Sequence, residues 1–259
     1  MKNIIMKKRF VILLICSWFI GSAVLAQPGG AVKNVVLVHG AFADGSGWEG
    51  VFKLLTAKGY NVSVVQNPLM YGLEGDVDAV KRVLDKQDGP TVLVGHSWGG
   101  SVITQAGVHP KVVSLVYVAA LAPDAGETTI SQLQWAPPAP ENGILPPDEN
   151  GFVYYDKAKF HKGFCGDLSA ETAAFMWASQ GATAAKGFGT PLTEAAWKTK
   201  PSWAVIATED KSINPEILRR AYKRAGSTVT EVKGASHVVF ISQPKVVAAV
   251  IEAAAKGKE

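Results

Sequence analysis

Cysteine is almost missing from this chain, with only Cys16 and Cys165 among 259 residues. A disulfide framework is therefore not how it is held together, and a domain of this length can bury enough core without one. Cys165 reads as a buried or incidental thiol rather than a nucleophile. No group of Cys and His has metal-ligand spacing and there is no H-E-x-x-H, so metal-dependent chemistry is not expected. A basic surplus is also lacking. Four of the 26 basic residues and none of the 22 acidic ones fall in residues 1–26, so the remainder carries 22 of each sign. A phosphate backbone needs a basic footprint, and nucleic acid is not an expected partner. Disorder is excluded as the general state, because 47% of residues are hydrophobic and only 19% charged.

Long hydrophobic runs are scarce too. One stands out, Val11 to Leu25, interrupted by Ser17, Gly21 and Ser22. It follows a start bearing Lys2, Lys7, Lys8 and Arg9 and ends on the small residues Val24 and Ala26. That pattern predicts a secretory signal peptide over residues 1–26, cleaved near Ala26, and an exported protein, periplasmic or secreted. The run is shorter than the roughly 20 residues a spanning helix needs, so no stable membrane insertion is expected after cleavage. Ile15 is bulky where a lipoprotein signal would place a small residue before Cys16, which argues against lipid attachment.

What is present beyond residue 26 is an alternation. Asn34–Val38, Asn61–Val65, Thr91–Val94, Val112–Val118, Trp203–Ala207 and Thr228–Val232 read as strands, most of them nearly continuous apolar runs suited to a parallel sheet covered on both faces. Between them, Val77, Val80 and Leu84 recur at helical spacing, as do Ile217, Leu218, Ala221 and Tyr222 after the Asn214-Pro215 start signal. A last helix is predicted from about Pro244 to Ala255, burying Val246, Val247, Val250 and Ile251. Residues 124–200 break the rhythm: prolines cluster at Pro137, Pro138 and Pro140, and ten of the 23 aromatics lie here. This stretch is read as a mostly helical cap packed over one end of the sheet, with a short extra strand at Phe152–Tyr155. Its aromatics serve either an apolar substrate pocket or the attachment of the cap. The predicted organisation is thus a leader at 1–26, a core of 27–123 and 201–259, and a cap at 124–200.

Chemistry concentrates in Gly95-His96-Ser97-Trp98-Gly99, a G-x-S-x-G with a strand before it and a helical stretch after it. A serine on such a sharp turn presents its hydroxyl at the sheet edge. A hydroxyl needs a base. Of the five histidines, His237 follows the last predicted strand, at the sheet end that holds Ser97, whereas His39, His96, His109 and His161 suit structural or orienting roles. The acid of the set is expected at Asp210, after the strand Trp203–Ala207 and before the helix start at Asn214. Asp124 is a rival beyond the end of another strand, and Glu209 is adjacent to Asp210. The amides of Trp98 and, in His39-Gly40-Ala41-Phe42, of Ala41 are candidate donors to an oxyanion.

Together these residues resemble the α/β-hydrolase superfamily across essentially all of the chain after the leader. The segments Val38-His39-Gly40-Ala41 with Gly47-Trp48, and Thr208-Glu209-Asp210-Lys211 with Gly234-Ala235-Ser236-His237, are similar to the small plant methylesterase and hydroxynitrile-lyase branch and to related bacterial carboxylesterases. The resemblance implies an α/β-hydrolase fold with a mostly parallel six-stranded sheet, helices on both faces and a helical cap. It further implies a Ser97–His237–Asp210 triad, an oxyanion hole at Ala41 and Trp98, no cofactor, and a small-molecule ester substrate cleaved through an acyl-enzyme. Hydroxynitrile lyases of that branch carry lysine after the catalytic histidine, where this chain has Val238; haloalkane dehalogenases need an aspartate where it has Ser97. Amidase, lactonase or perhydrolase activity, or a hydrolase-fold receptor with slow turnover, are the alternatives.

Overall fold

The computed structural model describes residues 32–257, so the expected leader lies outside the described residues. The chain runs through β1 (Asn34–Val38), a 3-10 turn at Gly45–Trp48, α1 (Glu49–Thr56), β2 (Asn61–Val65), α2 (Leu73–Asp85), β3 (Thr91–His96), α3 (Trp98–Ala106) and β4 (Val112–Val118). The 124–200 stretch contributes α4 (Thr129–Leu133), β5 (Phe152–Val153), α5 (Lys157–Phe164), α6 (Ala170–Ala178), β6 (Thr183–Ala184) and α7 (Ala185–Gly189). Then come β7 (Ser202–Ala207), α8 (Pro215–Ala225), β8 (Thr228–Val232), α9 (Val239–Ser242) and α10 (Pro244–Lys256).

Six strands form one sheet in the order β2-β1-β3-β4-β7-β8, each pairing parallel. Parallel neighbours require crossover connections, which the intervening helices supply. Every residue of β1, β3 and β7 is buried. Successive side chains of a strand point to opposite faces, so both faces of the central sheet are covered. The edge strands differ from the apolar runs expected of buried ones: β2 and β8 are largely half-buried or exposed, consistent with Asn61, Ser63, Thr228 and Glu231 among their residues.

The helices obey the sequence signals closely. In α8, the Asn214 side chain accepts a hydrogen bond from the Glu216 amide at 3.0 Å, Pro215 occupies the first turn, and Gly226 ends the helix at φ 63°. Its buried residues are Ile217, Leu218, Ala221 and Tyr222. In α10, Val247, Val250 and Ile251 are buried as expected, but Val246 is only half-buried.

Residues 124–200 are less helical than expected: four short helices, α4 to α7, alternate with longer irregular segments, and β5 and β6 pair antiparallel as a short ribbon. The strand expected over Phe152–Tyr155 stops at Val153, and Tyr155 makes only an isolated bridge to Ile144. Its amide has left the ribbon, donating instead to Oε1 of Gln180 at 2.8 Å. The aromatics of this region pack among themselves and against α8. Tyr155, Phe160 and Phe164 pack as a cluster with ring centroids 4.8–5.4 Å apart. Trp135 lies under the guanidinium groups of Arg220 and Arg224 on α8, 4.1 and 4.8 Å from its ring centre, fastening the region to the sheet layer. No helix among the described residues is long and apolar enough to cross a membrane.

Candidate active site

The link between β3 and α3 is tight. Ser97 sits at φ 54° and ψ −122°, a conformation that costs a non-glycine residue about 1–3 kcal/mol. The glycines on either side explain how the turn closes. A Cβ on Gly95 would lie 2.5 Å from the Gly99 carbonyl oxygen, and one on Gly99 would lie 2.8 Å from the carbonyl oxygens of both Val38 and His39. The first turn of α3 thus rests directly on the end of β1, and the small residues two positions from Ser97 are a packing requirement.

Three side chains from distant parts of the chain meet at this turn. The Ser97 hydroxyl is 2.9 Å from His237 Nε2, and His237 Nδ1 is 2.7 Å from Asp210 Oδ2. Asp210 and His237 are both buried. The second oxygen of Asp210 accepts from the Ser212 and Ile213 amides at 2.8 and 2.9 Å, which leaves Oδ2 facing the imidazole. A carboxylate can only accept, so Nδ1 carries the imidazole proton and Nε2 presents a lone pair to the serine hydroxyl. Asp124 is elsewhere, paired with Lys198 at 2.5 Å, and Glu209 pairs with Lys211 at 3.2 Å.

The remaining histidines separate into two buried and two peripheral ones. His39 accepts from the Asn67 amide at Nε2 (2.9 Å), so its Nδ1–H donates to the Gly40 carbonyl at 2.8 Å. It thereby lashes the loop that presents Ala41 to the loop after β2. His96 donates from Nε2 to the backbone carbonyl of His237 at 3.0 Å, and their rings lie 4.7 Å apart. Burial lowers the pKa of His39, and burial reinforced by the neighbouring His237 drives that of His96 well below the ordinary imidazole value. His109 pairs with Asp85 at 3.1 Å and His161 bonds the Leu168 carbonyl at 2.9 Å, both away from Ser97.

Two carboxylates escaped the sequence reading. Asp76 is fully buried on α2, where its oxygens accept from the Trp98 indole N–H at 2.7 Å and the Leu69 amide at 2.9 Å. Burial raises its pKa above the usual carboxylate range despite those two bonds. The signal was available, since position 76 falls on the apolar stripe shared by Leu73, Val77 and Val80. Asp167, between α5 and α6, accepts from both the amide (3.0 Å) and the hydroxyl of Ser236, the residue before His237. Nothing local in the sequence marks it.

Ser97 and His237 open into a cavity of about 230 Å³ whose walls include Ala41, Trp98, Leu121, Tyr155, Phe164 and Phe188. No Asp, Glu, Lys or Arg among the described residues lines it. Trp98, as the first residue of α3, has an amide with no acceptor inside the helix, and Ala41 follows the β1 end across the same cavity. Phe42, beside Ala41, adopts φ 60°, a second strained position in the cavity wall. Cys165 is buried, and burial pushes its thiol up to about 12, which keeps it protonated. Among the described residues no group of three or more His, Cys, Asp or Glu is placed to hold a metal ion.

A strained serine between β3 and α3, a histidine after β8 and an acid after β7, on a parallel sheet of this order, define a class. The chain belongs to the alpha/beta hydrolase family, which residues 35–250 match. It is similar to the pyrethroid hydrolase of Sphingobium wenxiniae, with 26% identity over 239 residues, 83% of this chain and 84% of that protein. The solved structure of a pyrethroid hydrolase from Sphingobium faniae JZ-2 superposes with a TM-score of 0.72 at 25% identity, covering 87% of this chain and 98% of that one. The polyneuridine aldehyde esterase structure shares the fold, with a TM-score of 0.73 at 20% identity over 85% of this chain and 97% of that one. The relatives are thus of esterase type, and the plant and bacterial branches expected from the sequence are both represented.

Proposed function

We propose that this protein is a serine carboxylesterase acting on uncharged small-molecule esters through an acyl-enzyme on Ser97. The observation that carries the reading is the continuous hydrogen-bonded line from Asp210 through His237 to Ser97, ending in an apolar cavity. His237 Nε2 takes the hydroxyl proton as Ser97 Oγ attacks the ester carbonyl carbon. The oxygen, now negative, is stabilised by the amides of Ala41 and Trp98, and the dipole of α3 adds to this. Collapse expels the alcohol, which receives its proton from His237. Water then attacks the acyl-enzyme by the same route, releasing the carboxylic acid and restoring the serine. Asp210 keeps the imidazole in the productive tautomer and offsets its positive charge in each half-reaction. The esterase-type relatives support the same chemistry.

We also infer that the protein works outside the cytoplasm, on the strength of the basic, apolar and small-residue pattern of residues 1–26. Edman sequencing of the protein recovered from periplasmic and culture fractions should read from Gln27.

The esterase reading is tested with short p-nitrophenyl esters, matched anilides and lactones, using residues 27–259 and the Ser97→Ala variant. Sustained turnover of the esters, lost in Ser97→Ala, is the expected result. A single burst without turnover would instead indicate a receptor that traps its ligand. Preference for the anilides or lactones would reassign the bond that is cleaved.

A further inference from the structure

A second cavity, of about 520 Å³, lies against the first, and Ile130, Leu133, Ile144 and Ser212 belong to the walls of both. Ile130 and Ile144 are 45% and 38% exposed. Beyond them Trp135 and Pro138 extend the same wall, and no Asp, Glu, Lys or Arg among the described residues lines it. A contiguous apolar surface joined to a reactive cavity marks a binding region more strongly than scattered exposed side chains do.

The walls of this groove are held in place. Trp135 is fixed by the two arginines stacked on its ring. The Asn214 side-chain amide donates to the Pro137 carbonyl at 2.9 Å, and that of Asn142 donates to the Ser212 carbonyl at 2.9 Å. These bonds join the proline-rich loop to the start of α8 and to the turn that also supplies amides to Asp210. The groove and the acid of the site therefore share a support.

We propose that this groove is a second substrate subsite, taking the distal apolar group of an uncharged ester whose carbonyl sits at Ser97. The proposal rests on the esterase reading above. The inner cavity has room for a small group beside the serine; a larger ester must place its remainder where Ile130 and Ile144 lead, along the groove. Each methylene withdrawn from water strengthens binding by about four-fold, so a filled groove separates long substrates from short ones by orders of magnitude. Among the described residues no charged side chain lines either cavity, so the groove favours an uncharged tail over an anionic or cationic one.

The experiment uses residues 27–259 with two substrate series: p-nitrophenyl esters from acetyl to decanoyl, and acetate esters of progressively larger aryl alcohols. Wild type is compared with Trp135→Ala and Pro138→Asp, both of which alter the groove and spare the inner cavity. In at least one series, wild-type kcat/KM should climb with size. Pro138→Asp should cut that advantage ten-fold or more, through KM, while acetyl-ester turnover stays within two-fold. Series that are flat or fall beyond the shortest members, or a long-to-short ratio unchanged in both variants, would overturn the subsite. If no ester is turned over at all, the catalytic reading fails by itself, and the groove is judged by equilibrium binding. Methyl dodecanoate is then titrated against Ser97→Ala by tryptophan fluorescence, with and without Pro138→Asp. A ten-fold weaker Kd in the double variant supports the groove, and equal affinity removes it.

Discussion

Asp167 reaches from the cap to Ser236, accepting its backbone amide at 3.0 Å and its hydroxyl as well. Ser236 immediately precedes His237, so this contact holds the loop that carries His237. Sub-ångström displacement of a catalytic group is enough to slow an enzyme, and a surface carboxylate can thereby influence the chemistry without touching substrate. Asp167→Ala should lower kcat about ten-fold with KM little changed, and Asp167→Asn, which keeps one acceptor oxygen, should recover part of the loss. Steady-state kinetics on a short ester, beside thermal melts, would check this. A change confined to Tm, with kcat intact, would reduce Asp167 to a structural tie.

The two candidate acids should separate cleanly. Asp210 is buried, with all its described bonds directed at the imidazole and the amides behind it, whereas Asp124 makes a partly exposed ion pair with Lys198. Asp210→Asn should reduce kcat by about 10⁴, as neutralising a triad aspartate does, because the imidazole adopts the wrong tautomer. Asp124→Asn should stay near wild type in kcat, and losing its ion pair should cost roughly 0–1 kcal/mol of stability. Comparing the two variants on one ester decides the assignment, and the opposite ranking would transfer the role to Asp124.

Asp76 supplies acceptors to two buried N–H groups, on Trp98 and Leu69. Asp76→Asn leaves one acceptor oxygen for two donors and turns its own NH₂ toward the other, so it should destabilise the fold by about 1–3 kcal/mol. The pH dependence has a definite sign. Burial raises the Asp76 carboxyl, so the folded state binds a proton more readily than the unfolded chain does. Its contribution is fully present below the unfolded value of about 4 and is lost as pH rises through the folded pKa. Asparagine does not titrate, so urea unfolding should show the gap between wild type and variant narrowing as pH rises from acid toward neutral. A widening gap would contradict the assignment.

The acid limb of the rate profile should be simple. Burial keeps His39 and His96 below the ordinary imidazole value, so neither adds a protonation to the acid limb near that value. The logarithm of kcat/KM is expected to fall with a slope of one on the acid side. A slope of two would mean that a neighbouring imidazole titrates in the same range. The same two buried histidines contribute stability that is present above about pH 6.5 and lost as pH falls through their depressed values, so the melting temperature should decline there.

Much of this molecule was legible in local patterns. Strand positions and the Asn214-Pro215 start of α8 follow from short apolar runs, helical spacing and capping, which depend on neighbours a few residues away. The serine turn was legible for the same reason, since Gly95 and Gly99 are small because adjacent backbones touch there. The extra strand at Phe152 is shorter than its sequence pattern implies, because the Tyr155 amide finds its acceptor on Gln180, 25 residues onward. Asp76 could have been noticed as a charge on an apolar stripe; Asp167 could not, because its partner is 69 residues away and neither side of the pair has a local signature.

By itself, then, the order of amino acids determined the elements, their alternation and the sheet edge at which a nucleophile would stand, because each of those is set by short-range sterics and periodic burial. Tertiary packing alone decided which carboxylate faces the imidazole, that a cap residue steadies the loop bearing it, and that a charge-free groove adjoins the reactive cavity. Such features are distances between chain segments many residues apart, and they exist only once the sheet has brought β1, β3, β7 and β8 to a common edge beneath the cap.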